Sequence, residues 1–343
     1  MAAPPVRDIR AQETFPTRPI TLVVAWAPGG SSDLVGRLVA EGMSKQLGQP
    51  VVVENRPGAS GSIGQASVAR ARADGYTILM SGRGTFAMLP HLLPNRGYDE
   101  MRDFAAIGLL CETPIYLCAS ARLGARNLAE LIALAKAQPD QLNYASAGAG
   151  SSAHIATELF LAQADIKVQN VTYRGGAPAV QALITGEAQM AMVDAVTALP
   201  LIRAGQVTGI AVGSSERFPE TPEIPTIGET LPGYEVSSQF ALLAPSGTPQ
   251  AVIQRLSTAM DATMRDPAVL DRMQAVAFIP RVGTPEAFRP TSRPRWRAGA
   301  RSSGRAGSRW NSTAAAFLPD PVLPQGNAVP AEASVDRRAA RGA

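Results

Sequence analysis

The sequence predicts an α/β protein made of two lobes, each a mostly parallel sheet flanked by helices. At 343 residues the chain is long enough for two domains, given a usual size of roughly 100–200 residues per domain. Its composition, 45% hydrophobic and 17% charged, is that of a globular protein. Short β-branched runs alternate with segments of helical periodicity in both halves of the chain, which favours parallel strands with helices on their faces.

The first unit begins with the apolar run "ITLVV" at residues 20–24, which has the β-branched side chains typical of a buried strand. Apolar residues with helical period start at Leu34, and the loop "AWAPGGSSD" lies between strand and helix. Ser31 or Ser32 is expected to cap this helix, and Asp33 suits its positive first turn. Main-chain amides at such a loop and the helix dipole both favour an anion, although the pattern equally fits a capped helix that binds nothing.

Two further strands follow in the same half of the chain. "PVVVENR" and "DGYTILMSG" predict the second and third strands, and "QASVARAR" between them predicts a helix. This alternation of strand and helix predicts a parallel sheet. A ligand crevice is therefore expected beyond the carboxyl ends of its strands.

The second half of the chain repeats the arrangement from about Asn127 onwards. "NLAELIALAKAQPDQ" has the period of an amphipathic helix, and "LNYASAGAGSSAHIATELFLAQA" contains a strand, a glycine–serine loop and a helix. "VQNVTYRGG" with "APAVQALITGEA" repeats the pattern, and "QMAMVDA" predicts a buried strand that ends at Asp194. Glycines thus follow a strand at 29–30, at 148–150 and at 175–176, and such loops in both halves predict a cleft between two lobes.

The basic charge of the chain lies in its last segment. Residues 289–343 hold ten Arg, no Lys and three acidic residues, a net charge of +7, so the rest carries −3 of the total of +4. This segment has no helical or strand periodicity and is expected to be disordered. Because the remainder is acidic overall, no nucleic-acid partner is expected. Residues 1–17 lack the hydrophobic core of a secretory signal peptide and are expected to be a flexible remnant.

Composition and motifs exclude or weaken several kinds of chemistry. No apolar stretch approaches the roughly 20 residues that span a bilayer. With two Cys and two His at no usual ligand spacing, no metal site is expected. The glycine patterns that bind phosphates and dinucleotides are absent, so no cofactor is expected. Cys111 and Cys118 are expected to be buried free thiols, with a disulfide between them as the alternative.

Individual polar residues of the loops allow more than one role. Ser151 and His154 lie three apart at a helix start and could form a hydrolase pair. No third group is evident to orient the histidine, so a capping serine and a packing histidine are expected. Arg174 either neutralises an acidic ligand or lies on the surface, and the surface position is favoured. Asp194 either lines a crevice or caps the next turn, and Trp26 either covers a ligand or packs in the core.

Taken together, these motifs resemble the Bug-type substrate-binding proteins of tripartite tricarboxylate transporters. The stretch from "FPTRPITLVV" to "NRPGASGSIG" resembles the opening of that family. It is followed in the family's order by "ADGYTILMSGRGT", "LNYASAGAGSSAHIATELF", "VTYRGGAPAVQALITGEAQMAMVD", "ERFPETPEIPTIGETLPGYE" and "FALLAPSGTP". The similarity spans about residues 15–288. Several long motifs in order are far more specific than any single glycine loop.

The resemblance implies a two-lobed periplasmic-binding-protein fold of the second type. Residues 18–119 with 236–288 would form the first lobe and residues 120–235 the second, with hinges near 119–123 and 235–240. It also implies a monomeric, non-enzymatic receptor in the periplasm that closes on a small carboxylic acid. The receptor would deliver that acid to the membrane components of the transporter. A ligand-sensing module or an enzyme on the same fold is the alternative.

In this family the carboxylate of the ligand is held mainly by backbone amides and small hydroxyls from facing loops of the two lobes. Carried over to this chain, the ligand-binding residues are, in the first lobe, Gly29, Gly30, Ser31, Ser32, Asp33, Arg83 and Thr85, and in the second lobe Ser146, Gly148, Gly150, Ser151, His154, Tyr173, Arg174, Gly175 and Asp194. Phe86 and Leu89 stand where the family commonly has His and Asn. This difference predicts a more apolar wall and a ligand with hydrophobic or aromatic character.

Overall fold

The computed structural model describes residues 15–82, 86 and 95–283. The strands in this part are β1 (Ile20–Val24), β2 (Val51–Asn55), β3 (Thr77–Gly82), β4 (Phe104–Ser120), β5 (Asn143–Ser146), β6 (Gln169–Thr172), β7 (Met190–Asp194), β8 (Val207–Val212), β9 (Ser237–Pro245) and β10 (Ile279–Gly283). The α-helices are α1 (Ser31–Leu47), α2 (Ser62–Ala69), α3 (Leu128–Ala137), α4 (Ser152–Ala164), α5 (Gly176–Thr185), α6 (Ala195–Arg203), α7 (Gln250–Arg265) and α8 (Pro267–Gln274). Short 3-10 helices occur at Ala59–Gly61 and Ile227–Glu229.

The strands are joined in the order β2-β1-β3-β9-β4-β7-β5-β6, with β8 and β10 also paired to β4. β1, β2 and β3 are parallel to one another, and so are β5, β6 and β7. β9 and β4 run antiparallel between these two sets. Each lobe therefore contains a parallel set of three strands with helices on its faces, completed by antiparallel strands from the middle of the sheet. This arrangement confirms the predicted α/β class.

The long strand β4 belongs to both lobes. Its residues from Phe104 to Pro114 pair with β9, and from Ile115 onwards it pairs with β7. The pairing partner of β4 thus changes at this Pro–Ile bond, whereas the lobe boundary expected at residue 119 stays a prediction. β9 begins at Ser237, inside the expected second hinge. We propose these two positions as the hinge.

Both faces of each sheet are buried. On β1, Leu22 and Val24 pack into a core with helices α1 and α7, whereas Val23 faces a separate core on the other side. The second lobe repeats this arrangement, since Leu117 and Tyr116 of β4 pack in different cores. A strand that is covered on both faces has an unbroken apolar sequence, which explains the run "ITLVV".

The two cysteines lie on β4 on either side of the Pro114–Ile115 bond. Cys111 packs in the core of the first lobe and Cys118 in that of the second. Seven residue steps along an extended strand place their Cα atoms roughly 23 Å apart, far beyond the reach of a disulfide. Both thiols are free and buried, as expected, and burial raises the pKa of Cys118 to about 12.

Part of the amino-terminal segment that was expected to be flexible packs against the fold. The ring of Phe15 meets the ring of Tyr76 edge-on, with 5.0 Å between centroids, and the Thr17 N–H donates to the Tyr76 hydroxyl at 2.9 Å. Residues 1–14 and the tail at 289–343 lie outside the described residues. Within the described part, no helix has both the length and the apolar composition to cross a bilayer, and no group of three candidate metal ligands comes together.

Helices α1 and α7 approach closely at Gly42, and this contact is testable. A Cβ at Gly42 would lie 2.2 Å from Thr263 Cγ2. We expect Gly42→Ala to lower the free energy of unfolding by about 1–3 kcal/mol through overpacking. Thr263→Ser removes the obstructing methyl but keeps the hydroxyl that donates to the Ala259 carbonyl at 2.8 Å.

In the Thr263→Ser background the loss from Gly42→Ala should be smaller, because the nearest atoms that remain, the Cβ and Oγ of residue 263, would lie 3.2 Å from the added Cβ. Urea denaturation of the four proteins measures both effects. The same loss from Gly42→Ala in both backgrounds would contradict the contact.

Candidate functional site

A cavity of about 100 Å³ lies between the lobes, at the carboxyl ends of β1, β3, β5 and β7. Helices α1, α4, α5 and α6 all begin at its walls. The first lobe and β9 contribute Trp26, Ala27, Gly30, Ser31, Ser32, Gly82, Ser238 and Phe240, and the second lobe contributes Ala147, Ser151, Ser152, Ala153, Gly175, Gly176, Ala179, Val180, Ala191, Met192, Val193, Asp194 and Thr197. The cavity thus lies where the order of strands and helices predicts a crevice.

The wall from the first lobe is built around the start of α1. Gly30, in extended conformation, is the N-cap residue, and no side chain accepts a hydrogen bond from the first amides of the helix. The predicted capping by Ser31 or Ser32 is therefore wrong, since both serines lie in the first turn and line the cavity. The first-turn N–H groups of a helix have no partner within the helix, so this end carries positive electrostatic potential at the cavity.

Asp33 holds the loop that precedes α1 and does not line the cavity. Its carboxylate accepts hydrogen bonds from the Gly29 N–H at 3.1 Å and from Asn55 Nδ2 at 3.0 Å, and it forms an ion pair with Arg37 at 2.9 Å. Burial opposes ionisation, but these hydrogen bonds together hold the pKa of Asp33 below its usual value. Because Asn55 also donates to the Trp26 carbonyl at 3.1 Å, the network fixes the main chain on both sides of the glycines.

Asp194 joins the two lobes within the cavity. It is the N-cap residue of α6, but its side chain makes no hydrogen bond to that helix. Instead Oδ1 accepts a hydrogen bond from Ser238 Oγ on β9 at 2.6 Å, and Oδ2 accepts one from Ser31 Oγ on α1. Burial raises the pKa of Asp194, and the two serine hydrogen bonds offset this only in part. Of the two roles considered for Asp194, lining the crevice is the one observed.

Two glycine loops of the second lobe approach the segment "AWA" of the first. A Cβ at Gly148 would lie 3.4 Å from the ring of Trp26, and a Cβ at Gly175 would lie 3.4 Å from Ala27 Cβ. The φ angles of these glycines are 133° and 130°, which side chains with a Cβ rarely adopt. Glycine therefore permits both the backbone geometry and the close approach of the lobes. Trp26 lines the cavity and also packs against the first-lobe cores.

Ser151 and His154 do not form a nucleophile–base pair. Ser151 caps α4, because its hydroxyl accepts a hydrogen bond from the backbone N–H of His154 at 3.2 Å. His154 is 4% exposed, and its Nδ1 accepts a hydrogen bond from the Gly150 N–H at 3.0 Å. The capping serine and packing histidine expected from the sequence are therefore confirmed.

The remaining predicted residues are directed elsewhere. Ser146 Oγ donates to Asn170 Oδ1 at 2.9 Å, and the Tyr173 hydroxyl donates to Glu187 at 2.8 Å. Arg174 is exposed on the surface, as favoured. Of the predicted ligand-binding residues, Gly30, Ser31, Ser32, Ser151, Gly175 and Asp194 line the cavity. Gly29, Gly148 and Gly150, in the same loops, and Asp33 and His154, in the helix turns that follow, do not line it. Arg83 and Thr85 lie outside the described residues.

Sequence reasoning missed the apolar part of the site. Val180, Met192, Val193 and Phe240 line the cavity from helix and strand interiors, where apolar residues are usually interpreted as core. The serine pair in "VSSQF", just before the apolar run that starts at Phe240, was the available signal for Ser238. Phe86, expected in the wall of the cavity, instead packs edge-on against Phe104 with 5.4 Å between centroids. Leu89 lies outside the described residues.

Two α/β lobes that share crossing strands and enclose a cavity lined by helix N-termini define a ligand-binding protein of the periplasmic-binding type. Residues 35–284 match the model of the tripartite tricarboxylate transporter family receptor, TctC, and the chain belongs to this family of solute-binding receptors. The Bug-type resemblance expected from the motifs is confirmed by similarity to the periplasmic binding protein BugD. That structure is 34% identical with a TM-score of 0.76, over 80% of this chain and 92% of the other.

Two solved structures of similar proteins contain carboxylic acids. R. palustris Rpa4515 with adipate is 33% identical with a TM-score of 0.77, over 80% of this chain and 92% of the other. MatC from Rhodopseudomonas palustris with bound malate is 34% identical with a TM-score of 0.74, over 77% of this chain and 90% of the other.

Proposed function

We propose that this chain is a periplasmic receptor that binds a small carboxylic acid between its lobes and delivers it to the membrane components of a tripartite tricarboxylate transporter. The observation that carries the proposal is the convergence of uncapped helix N-termini, those of α1 and α5, on one cavity from opposite lobes. Adipate in Rpa4515 and malate in MatC support the same ligand class. The bound acid would be released unchanged, as for a receptor without catalysis.

The charge of the site favours recognition by main-chain groups. No Lys, Arg or His occurs among the described residues that line the cavity. A helix N-terminus stabilises an anion by about 0.3–1 kcal/mol at an exposed site and by up to about 2 kcal/mol when partly buried. Two such termini would supply up to about 4 of the roughly 8 kcal/mol of micromolar affinity, and the hydroxyls of Ser32 and Ser151 would add hydrogen bonds to the carboxylate.

Isothermal titration of the purified protein with adipate, malate, adipamide and hexane-1,6-diamine tests the ligand class. We expect at least one of the two acids to bind, and the neutral diamide and the cationic diamine of matched length not to bind. At 100 times its dissociation constant the acid should add about 2.7 kcal/mol to the free energy of unfolding. Equal binding of adipate and adipamide would contradict recognition of a carboxylate.

Delivery and location are tested separately. Membrane vesicles that contain the transporter components should take up the bound acid only when the receptor is present, and fractionation of the source cells should recover the chain with periplasmic markers. Uptake at the same rate without the receptor would contradict the transport role even if the acid binds.

Binding of a carboxylate is expected to be accompanied by proton uptake at Asp194. Burial already raises the pKa of this group. A ligand anion in the same cavity adds a second negative charge, which raises the pKa further, so the bound state holds more protons than the free state. The affinity should therefore strengthen as the pH is lowered toward the raised pKa of Asp194.

Titration with the bound acid in two buffers of different ionisation enthalpy measures the proton uptake directly. Asp194→Asn keeps an acceptor for Ser238 but cannot take up the proton, so its affinity should not strengthen as the pH is lowered. Undiminished proton uptake in that variant would assign the effect to another group.

A further inference from the structure

A buried histidine side chain accepts a hydrogen bond from the loop at residues 147–151, which forms part of the second-lobe wall of the cavity. His154 lies in the first turn of α4, is 4% exposed and does not line the cavity. Its Nδ1 accepts a hydrogen bond from the Gly150 N–H at 3.0 Å, and its own backbone N–H donates to Ser151 Oγ at 3.2 Å. The residue therefore bonds to two successive residues of the loop, one of which lines the cavity.

The surroundings of the imidazole favour one protonation state. Because Nδ1 accepts the Gly150 N–H, the ring proton of neutral His154 must be on Nε2. Nε2 lies 3.9 Å from Glu158 Oε1, the oxygen that also accepts a hydrogen bond from the Tyr144 hydroxyl. The Tyr144 ring stacks on the imidazole, with 6.3 Å between centroids and 25° between the planes.

Glu158, on the same helix, and Tyr144, on β5, are titratable groups that face this ring. Burial lowers the pKa of His154, and the charge of Glu158 opposes this shift in part. The neutral form with its proton on Nε2 is therefore the form compatible with the hydrogen bond from Gly150 at neutral pH.

We propose that His154 is a positioning residue for ligand binding: as the neutral Nε2–H tautomer, it holds residues 147–151 in the shape that presents Ser151 and the N-terminus of α4 to the cavity. The proposal deepens the proposed function and rests on it, because it assumes that this wall contacts the carboxylic acid. Protonation of Nδ1 would place a donor against the Gly150 donor and release the loop.

The tautomer is testable without any ligand. The chain contains two histidines, so the ¹⁵N NMR spectrum contains imidazole signals from two residues. The signals that disappear in His154→Asn are those of His154. We expect at pH 7 an unprotonated Nδ1 and a protonated Nε2 at His154. A protonated Nδ1, or a cation at this pH, would overturn the proposal whatever the protein binds.

Two substitutions of His154 separate positioning from packing. His154→Asn places an amide oxygen near the position of Nδ1, whereas His154→Leu fills a similar volume without an acceptor. Exchange of the Gly150 amide proton should be about tenfold faster in His154→Leu than in the wild type and should be restored toward the wild-type rate in His154→Asn, as expected for loss of one hydrogen bond. Equal exchange in all three proteins would overturn the proposal.

The affinity for adipate or malate, whichever binds the wild type, should fall about tenfold in His154→Leu and by less than about threefold in His154→Asn. Tyr144→Phe is the matched control, because it removes the hydroxyl bonded to Glu158 and leaves the Gly150 bond. Unchanged affinity in His154→Leu would overturn the proposal. If the wild type binds neither acid, the proposed function fails, while the tautomer and the Gly150 exchange rate still decide whether His154 positions the loop.

Discussion

Gly30→Val is expected to abolish binding of carboxylic acids while leaving the protein folded. Gly30 has a φ of −92°, which valine readily adopts, and a Cβ there would meet no atom within 4 Å. The added isopropyl group would project into a cavity of about 100 Å³, beside the first amides of α1. We expect at least about a 100-fold loss of affinity, equal to about 2.7 kcal/mol, by titration with the acid that binds the wild type.

Ala133→Val provides the matched control for this substitution. Ala133 lies on the exposed face of α3 and does not line the cavity, and its replacement creates the same valine side chain there. The free energy of unfolding of both variants should lie within about 1 kcal/mol of the wild-type value, and only Gly30→Val should lose affinity. Wild-type affinity in Gly30→Val would place the binding site elsewhere in the protein.

Arg96→Met is expected to cost the largest loss of stability, about 3–5 kcal/mol of the free energy of unfolding. The side chains of Arg96 and Glu100 are 8% and 2% exposed, and Arg96 Nε donates to Glu100 Oε1 at 2.7 Å while Nη2 donates to the other carboxylate oxygen. Methionine fills most of the volume but leaves the carboxylate of Glu100 buried without its cation. Denaturation in urea measures the loss.

A second arginine on the same stretch of chain serves as the control. Arg102 pairs with Asp103 at 2.8 Å, but its side chain is 76% exposed. Exposed ion pairs contribute about 0–1 kcal/mol to stability, so the free energy of unfolding of Arg102→Met should be close to that of the wild type. Similar losses in the two variants would show that burial does not decide the effect of either pair.

The strands, the helices and the position of the crevice were predictable because their signals are local. "ITLVV" is apolar on both faces because β1 is covered on both sides, and Gly48, with a φ of 69°, is a local signal for the end of α1. The glycines at 29–30 and 175–176 lie beside the cavity because a strand followed by a helix places its loop at the carboxyl edge of a sheet. The family motifs add the carboxylate as the expected ligand.

The direction of individual side chains was not predictable, because it depends on partners distant in the sequence. Ser31 is a residue type that often caps helices. Its hydroxyl instead donates a hydrogen bond to the carboxylate of Asp194, which the fold brings close. Asp33 carries the same charge as Asp194 yet lies outside the cavity lining, since Arg37 and Asn55 bind it. No local pattern distinguishes these outcomes.

The change of pairing partner within β4 was not predictable for a related reason. Phe104–Ser120 is one uninterrupted strand, so the sequence contains no turn or change of composition at the Pro114–Ile115 bond. Only the pairing with β9 before this bond and with β7 after it marks the change.

The sharing of β4 ties the folding of the two lobes together. Ile107 and Leu110 complete the interior of one lobe, and Ile115 and Leu117, a few residues along the same strand, complete that of the other. Unfolding of either lobe removes β4 from the sheet of the other lobe, so the molecule should unfold cooperatively, in a single transition. A solute held in the cleft would accordingly protect the entire sheet against proteolysis, including segments that it never touches.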